Sequence, residues 1–232
     1  MDFFCNFIWE QGFREKNEDS LCVRQMTKDG ISYLLAVICD GIGGLSEGEN
    51  ASSYVVNSML ENMNALLKKK KISAGVIKRS FFRRLFQCHK TLLNYGREKQ
   101  IRLGTTISMV FIVGKECHMF HVGDSAIFKG KRYLKRVTEI QQTSTGALLQ
   151  AVGNGKNLKT IYKRFCIRKD MVILLASDGF YRKGEGQICS REWFKSISCD
   201  EKEIGERLIE IKNIVQTLGE KDNISAICIK VH

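Results

Sequence analysis

The order in which the spacing of apolar residues changes along the chain constrains its fold more than any other feature. Short runs rich in β-branched and aromatic residues, which indicate strands, come first, and two long segments with helical spacing follow. Several further strand-like runs, one more helix and a last strand complete the chain. Because strands and helices do not alternate one by one, a doubly wound parallel sheet is disfavoured. The pattern predicts an α+β fold with mainly antiparallel sheets.

The predicted elements can be given residue bounds. The predicted strands are 3–9, 20–26, 32–39, 105–113, 116–122, 160–166, 171–176 and 224–231. The capping-box pattern from Ser46 to Glu49 precedes a first helix, because a hydroxyl and an acid at that spacing satisfy free backbone N–H groups. The other predicted helices are 74–95 and 201–218, and Gly219 is a stop signal for the last one.

Length and composition favour one folded domain spanning residues 1–232. The hydrophobic fraction of 44% is sufficient to fill a core, and the sequence contains nothing that resembles a linker or a repeat. Uncharged stretches such as Leu103–Gly114 are far shorter than the roughly 20 residues that a spanning helix needs. The first residues also carry an acid, Asp2, where a secretory signal has a basic region, and no A-x-A-like cleavage site follows them. We therefore expect a cytoplasmic protein with no membrane partner.

The cysteines do not form a disulfide or zinc pattern. There are 9 of them, scattered along the chain, and no two are spaced as C-x-x-C. Most lie in apolar runs, such as the runs around Cys39 and Cys228. The sequence thus predicts reduced thiols in the core.

Acidic residues lie at the ends of several predicted strands. Glu18 and Asp19 precede one strand, Asp40 and Asp178 each follow a strand and are themselves followed by glycine, and Asp222 precedes the last strand. A single Asp-Gly pair usually marks a turn. If the ends of these strands converge, however, their carboxylates repel one another, and a hard divalent cation relieves the repulsion. The set predicts a Mg²⁺ or Mn²⁺ site.

These acids belong to a longer series of motifs with a fixed order. The motifs are Arg14–Ser20, Val37–Gly44, Gly48–Ser52, Gly104–Thr106, His121–Ser125, Ala151–Gly153, Ala176–Gly179 and Lys221–Ser225. Together they resemble the metal-dependent type 2C serine/threonine protein phosphatases over nearly the whole chain. The resemblance implies a four-layer αββα sandwich, in which two central, mainly antiparallel sheets are flanked by helix pairs.

The resemblance also implies a binuclear centre with two Mn²⁺ or Mg²⁺ ions per chain. Asp40 would bridge the ions, and Gly41 would contribute its backbone carbonyl. Asp178 and Asp222 would be further carboxylate ligands. The pair Glu18 and Asp19 would bind metal directly or orient metal-bound water.

The implied reaction is hydrolysis of phosphoserine and phosphothreonine in proteins. A water activated between the two ions would attack phosphorus in line, with Asp40, Asp178 and Asp222 as the catalytic carboxylates. Arg14 is the implied phosphate-binding residue, since a guanidinium fork suits two phosphate oxygens. The expected partners are phosphorylated protein substrates of a serine/threonine kinase.

The sequence departs from the family pattern in several places. Ile42 stands where eukaryotic members carry a histidine, which indicates a bacterial-type enzyme. Ala126 replaces a frequent arginine. Arg182 replaces an aspartate that, with the residue matched by Asp124, helps to hold a third metal, so we predict that a third site at Asp124 is weak or absent. The segment Val137–Val152 is shorter than the family's flap, which predicts an open site.

The formal net charge of +12 and a pI near 9.3 suit the attraction of anionic phosphorylated substrates. The rival hypothesis is a phosphatase-like regulatory or binding module with weak or no turnover, motivated by Arg182, Ala126 and the short flap. A nucleic-acid-binding protein is disfavoured, because no recognition motif accompanies the basic residues of the second predicted helix.

Overall fold

The computed structural model describes residues 1–42, 47–197 and 200–232. Its elements are β1 (Phe3–Glu10), β2 (Asp19–Lys28), β3 (Ile31–Asp40), α1 (Gly48–Leu67), α2 (Ala74–Lys99), β4 (Ile107–Val113), β5 (Glu116–Val122), β6 (Ala126–Gly130), β7 (Lys135–Arg136), β8 (Ile161–Cys166), β9 (Val172–Ala176), α3 (Asp178–Tyr181), α4 (Glu185–Ile188), α5 (Arg191–Ser196), α6 (Glu201–Thr217) and β10 (Ile224–Val231).

In the described residues the strands form two 5-stranded sheets. The first sheet has the order β1-β10-β9-β6-β7 and the second the order β2-β3-β4-β5-β8. Neighbouring strands in both sheets are antiparallel. The prediction of an α+β fold with antiparallel sheets is confirmed.

Strand β3 shows how the layers are built. Alternate residues of a strand point to opposite faces, and both faces of β3 are apolar. Leu34 and Ile38 pack towards the first sheet, in a core shared with β9 and β10. Leu35 and Val37 point the other way, towards α1 and α2. Burial on both faces places the second sheet between the first sheet and a layer of helices.

The outer face of the first sheet packs against a more irregular helical layer. Apolar residues of α6, such as Ile204 and Leu208, share a buried cluster with β9 and β10 and with the short helices α3, α4 and α5. The four-layer order is therefore as expected, but on this side the layer is one long helix with short ones rather than a pair. Gly179, Gly184 and Gly186 interrupt this region, and glycine disfavours a continuous helix.

Most predicted elements are present, with shifted ends. Helix α2 runs to Lys99, beyond the predicted end at Tyr95, and α1 begins at Gly48 after Glu47, whose φ is 60°. Ser46 of the predicted capping box lies outside the described residues, as do Gly43 and Gly44 of the glycine-rich motif. The sequence patterns did not predict β6, β7, α3, α4 and α5, each of which has at most 6 residues, because such short elements carry little periodicity.

Each cysteine in the described residues is a free thiol. Cys39, Cys88, Cys117 and Cys228 are buried, as the apolar runs predicted, whereas Cys166 is exposed. Cys199 lies outside the described residues. Among the described helices, none combines the length and apolar character needed to span a bilayer.

Replacing Phe81 with alanine should destabilise the protein by about 3–5 kcal/mol, because it leaves a cavity between α2 and the second sheet. Phe81 is fully buried, and its ring centroid lies 5.2 Å from that of Phe111 and 5.3 Å from that of Phe120. The matched control is Phe86→Ala on the same helix, where the side chain is 52% exposed and the expected loss is below about 1 kcal/mol. Urea unfolding of both variants measures the difference, and equal losses would contradict this packing.

Candidate active site

A pocket of about 430 Å³ collects 5 acidic side chains that lie far apart in the sequence. They are Glu18, Asp40, Asp124, Asp178 and Asp222. Of the other predicted site residues, Arg14 and Gly41 also line this pocket, whereas Asp19 does not. We call it the carboxylate pocket.

Strand ends from both sheets supply these acids. Asp40 is the last residue of β3 in the second sheet and is paired in register with Asp19, the first residue of β2. Asp178 lies two residues after the end of β9 and begins α3, and Asp222 lies two residues before the start of β10; both strands belong to the first sheet. Asp124 lies on the connection from β5 in the second sheet to β6 in the first. The carboxylate pocket therefore lies across the seam between the sheets.

Two glycines allow the close backbone contacts behind these acids. A Cβ on Gly41 would lie 2.5 Å from the carbonyl oxygen of Gly48 and 2.8 Å from that of Glu18. A Cβ on Gly179 would lie 2.2 Å from the carbonyl oxygen of Asn223. All three distances are too short for any side chain, so glycine is required if Asp40 and Asp178 are to stand this close to neighbouring segments.

Asn223 fixes the loop that carries Arg14 and Glu18. Its side-chain amide donates hydrogen bonds to the backbone oxygens of Gln11 at 2.7 Å and Lys16 at 2.9 Å. Its Oδ1 accepts a hydrogen bond from the backbone N–H of Glu18 at 2.9 Å. One side chain thus ties this loop to the segment bearing Asp222, which the sequence motif alone did not predict.

Burial and mutual repulsion disfavour the charged forms of the pocket carboxylates. Desolvation raises the pKa of Asp40 well above its ordinary value, and the negative charges of Asp19, Asp178, Asp124 and Asp222 raise it further. Burial raises the pKa of Asp124 to about 6. Burial also raises the pKa of Asp178, although Arg182 opposes the shift. Positive charge is therefore strongly favoured in the carboxylate pocket.

Asp19 lies beneath the pocket and is only 2% exposed. Among the described residues, neither of its carboxylate oxygens meets a donor at normal hydrogen-bond geometry. The nearby hydroxyls of Ser177 and Ser225 lower its pKa somewhat, but burial dominates and raises that pKa to about 7. A buried carboxylate without a partner is costly, so this residue too needs a proton or a cation nearby.

Two arginines supply part of the positive charge. Arg14 binds Asp222 through two hydrogen bonds, Nε to Oδ1 at 2.9 Å and Nη2 to Oδ2 at 2.8 Å. Nη2 of Arg182 lies 2.9 Å from Oδ2 of Asp178 and 3.3 Å from Oδ2 of Asp124. Among the described residues, no group of three or more His, Cys, Asp and Glu side chains is already arranged to coordinate a metal ion.

The residues nevertheless fit a divalent cation. Asp40 has a raised carboxyl pKa and is followed by the backbone carbonyl of Gly41. Asp19, whose carboxylate oxygens have no hydrogen-bond partner among the described residues, is paired in register with Asp40. Carboxylate and carbonyl oxygens are the ligands that Mg²⁺ and Mn²⁺ prefer. The chemistry of the donor set and its unbalanced negative charge therefore agree with the expected metal.

Loop residues complete the pocket, and the motifs did not indicate them. They are Arg102, Gln142, Gly146, Ala147, Leu148 and Asn154. Gln142 also donates a hydrogen bond to Oδ2 of Asp124 at 3.1 Å. The short segment that was expected to leave the site open thus forms one wall of the pocket. Isolated β-bridges hold these loops in position, one between Thr105 and Val152 and one between Gln142 and Leu148. Such single bridges leave no periodic pattern in the sequence from which they could be predicted.

Comparison with known proteins gives one sequence-level match and several structural ones. The sequence profile of protein phosphatase 2C matches residues 14–198. No curated protein matches the chain significantly in sequence.

Solved structures of bacterial phosphatases share the fold. The serine/threonine phosphatase Stp1 from Staphylococcus aureus has 19% identity and a TM-score of 0.85, over 100% of this chain and 96% of that one. The serine/threonine phosphatase PstP/Ppp from Mycobacterium tuberculosis has 18% identity and a TM-score of 0.77, over 99% of each chain. PppA from Pseudomonas aeruginosa, described as a key regulatory component of T6SS, has 19% identity and a TM-score of 0.78, over 99% of this chain and 98% of that one.

Replacing Asp19 with asparagine should stabilise the metal-free protein increasingly as pH rises. The folded-state pKa of Asp19 is raised to about 7, against roughly 3.9 in an unfolded chain. Its ionisation therefore removes stability between about pH 4 and 7, and asparagine does not ionise. The gain at pH 8 relative to pH 5 should be about 2–4 kcal/mol.

Urea unfolding in the presence of a chelator, at pH 5 and at pH 8, measures this gain. Asp29→Asn is the control, since Asp29 is exposed and asparagine tolerates its φ of 51°. A difference between Asp19→Asn and wild type that does not change with pH would contradict the prediction.

Proposed function

The chain belongs to the protein phosphatase 2C family, and we propose that residues 1–232 act as one catalytic domain that hydrolyses phosphoserine and phosphothreonine in proteins. The observation that carries the proposal is the convergence of 5 acidic side chains beside Arg14 in one pocket. The substrates would be cytoplasmic proteins that a serine/threonine kinase has phosphorylated. A net charge of +12 supports the attraction of such anionic partners.

Two Mn²⁺ or Mg²⁺ ions are part of the proposal. The residues that would hold them are Glu18, Asp19, Asp40, Gly41, Asp178 and Asp222. When bound, the ions would supply Lewis acidity that activates the attacking water and offsets charge on the phosphoryl group. The raised pKa of Asp40 and the unpartnered oxygens of Asp19 support this assignment, because a cation would relieve both.

Arg14 would bind and orient the substrate phosphate. Its side chain is 51% exposed, and its fork already holds the two carboxylate oxygens of Asp222. Two oxygens of a phosphate monoester present a similar pair of acceptors to the same fork. The substrate would therefore enter by exchanging phosphate oxygens for those of Asp222, and Asn223 would keep the arginine's loop in place meanwhile.

Replacing either Asp40 or Asp178 with asparagine should lower Mn²⁺-dependent hydrolysis by about 100-fold or more, because each change removes a negative charge from the proposed cation site. The measurement is hydrolysis of an aryl phosphate and of a phosphothreonine peptide, with and without a chelator. Asp170→Asn is the matched control: Asp170 is exposed, its φ of 64° suits asparagine, and it should retain full activity. Activity that survives the chelator, or that is unchanged in both pocket variants, would refute the metal-dependent proposal.

We also expect two rather than three Mn²⁺ ions per chain. Asp124, the remaining pocket carboxylate, already contacts Arg182 at 3.3 Å and accepts a hydrogen bond from Gln142. A third cation would have to displace the fixed charge of Arg182. Native mass spectrometry of the Mn²⁺-loaded protein counts the ions, and three tightly bound ions would show that Arg182 does not exclude the third.

A second candidate function follows from the same two ion pairs. Arg14 and Arg182 already neutralise part of the charge on Asp222, Asp178 and Asp124, which lowers the cost of holding these acids together without a cation. A regulatory or binding module of this kind would bind phosphopeptides with little or no turnover. The hydrolysis assay separates the two candidates, because only the phosphatase releases phosphate in a Mn²⁺-dependent way.

A further inference from the structure

We propose that Arg102 binds an acidic side chain of the substrate, close to the phosphorylated residue, and so makes the protein prefer acidic phosphopeptides. This inference rests on the proposed function and names the substrate class of the same site. It depends on a groove beside the carboxylate pocket, on the free charge of Arg102 and on the rigid position of its backbone.

The groove lies where the end of α2 meets the loops that follow it and the loop around Gly153. Its volume is about 310 Å³. Arg102 and Asn154 line both this groove and the carboxylate pocket, so the two form one continuous surface. Leu92 and Leu93 give the groove an apolar side, and Arg97 adds a second exposed cation.

Arg102 is the pocket arginine whose charge is still available. The arginines lining the carboxylate pocket are Arg14, Arg102 and Arg182. Arg14 is bound to Asp222, and Arg182 is bound to Asp178 and Asp124. Arg102 is exposed and makes no ion pair with any residue that the structure describes. An exposed guanidinium at the mouth of an acidic pocket is therefore left to meet an anion that arrives with the substrate.

The backbone on both sides of Arg102 is held firmly. The N–H of Ile101 donates to the carbonyl oxygen of Gly96 at 2.9 Å, and a Cβ on Gly96 would lie 2.9 Å from the carbonyl oxygen of Ile101. On the other side Leu103 is buried, and the carbonyl oxygen of Gly104 accepts a hydrogen bond from Ile42 at 3.0 Å. On the protein's side of the contact the backbone is therefore already in place, and the side chain of Arg102 is what remains to be ordered, which limits the entropic cost.

The occupant that fits this surface is an extended acidic peptide. With the phosphate at Arg14, the peptide would continue from the carboxylate pocket into the groove past Arg102. Because Arg14 and Arg102 line the same pocket, the acidic residue would lie close in sequence to the phosphorylated one. Apolar atoms of the peptide would cover the half-buried Leu93, while its carboxylate would meet Arg102. The overall charge of +12 favours the same anionic partner.

Peptide binding and peptide hydrolysis test this inference separately. The probes are two fluorescent peptides that carry a non-hydrolysable phosphoserine analogue and differ only in whether glutamate or glutamine flanks it on both sides. Their affinities for the Mn²⁺-loaded full chain are measured by fluorescence anisotropy. Wild type should prefer the glutamate peptide by about 3- to 5-fold, the strength of an exposed ion pair.

Three variants complete the test. Arg102→Ala should bind both peptides equally, and Arg102→Lys should retain part of the preference, because it keeps the charge but loses the guanidinium fork. Arg79→Ala removes the same charge from an exposed position on α2 outside the groove, and it should keep the full preference. Thermal unfolding shows whether each variant is folded.

The outcomes distinguish this inference from the proposed function. A glutamate preference that Arg102→Ala abolishes and Arg79→Ala retains supports the inference, whether or not the matching phosphoserine peptides are hydrolysed. An equal preference in Arg102→Ala and wild type, or no preference in wild type, overturns it even if both phosphoserine peptides are hydrolysed. Equal loss in Arg79→Ala and Arg102→Ala overturns it as well, because general charge attraction would then explain the preference.

Discussion

The antiparallel pairing of β2 with β3 places Asp19 and Asp40 beside one another. Their carboxylates repel each other, and the other charged residues of the pocket have to be understood from that repulsion. Two like charges at adjacent strand ends disfavour each other when water is excluded. The register cannot slip by one residue to separate them, because alternate residues of β3 are buried in different cores and a slip would exchange the two faces. The apolar packing of β3 therefore enforces an unfavourable electrostatic arrangement at its end.

Much of the fold and of the candidate site could be predicted from the sequence. The strands were predictable because β-branched runs such as that of β3 carry a strong periodic signal, and the acids were predictable because they stand at the ends of such runs. The ordered motifs then indicated the family. Arg102, Gln142 and Asn154 were not predictable as pocket residues, since their loops carry no periodic pattern and are placed by contacts between distant residues, such as the bridge between Thr105 and Val152. Asn223 was visible as part of a motif, but its role in holding the loop around Arg14 depends on contacts about 200 residues apart in the chain.

The arginines show how the molecule balances stability against chemistry. Each of Arg14 and Arg182 contributes an ion pair that lowers the cost of gathering acids in one place, and each ion pair also engages an oxygen that a cation or a phosphate could use. Sites of this kind are commonly less stable than the surrounding fold, because groups arranged for reaction are not arranged for the lowest energy of the empty protein. Arg102 differs from both because its charge does not compensate a pocket acid, which leaves it free to discriminate between substrates.

The position of the pocket across the seam has a mechanical consequence. Asp40 ends a strand of one sheet, and Asp178 and Asp222 flank strands of the other, while the buried interior between the sheets consists mainly of apolar side chains, whose attraction has no fixed direction. A divalent ion bound by these acids would cross-link the two sheets. It would resist sliding of one sheet over the other, which apolar contacts alone oppose only weakly. Binding of the ion would then make the contact between the two sheets more rigid, including at residues distant from the ion's ligands.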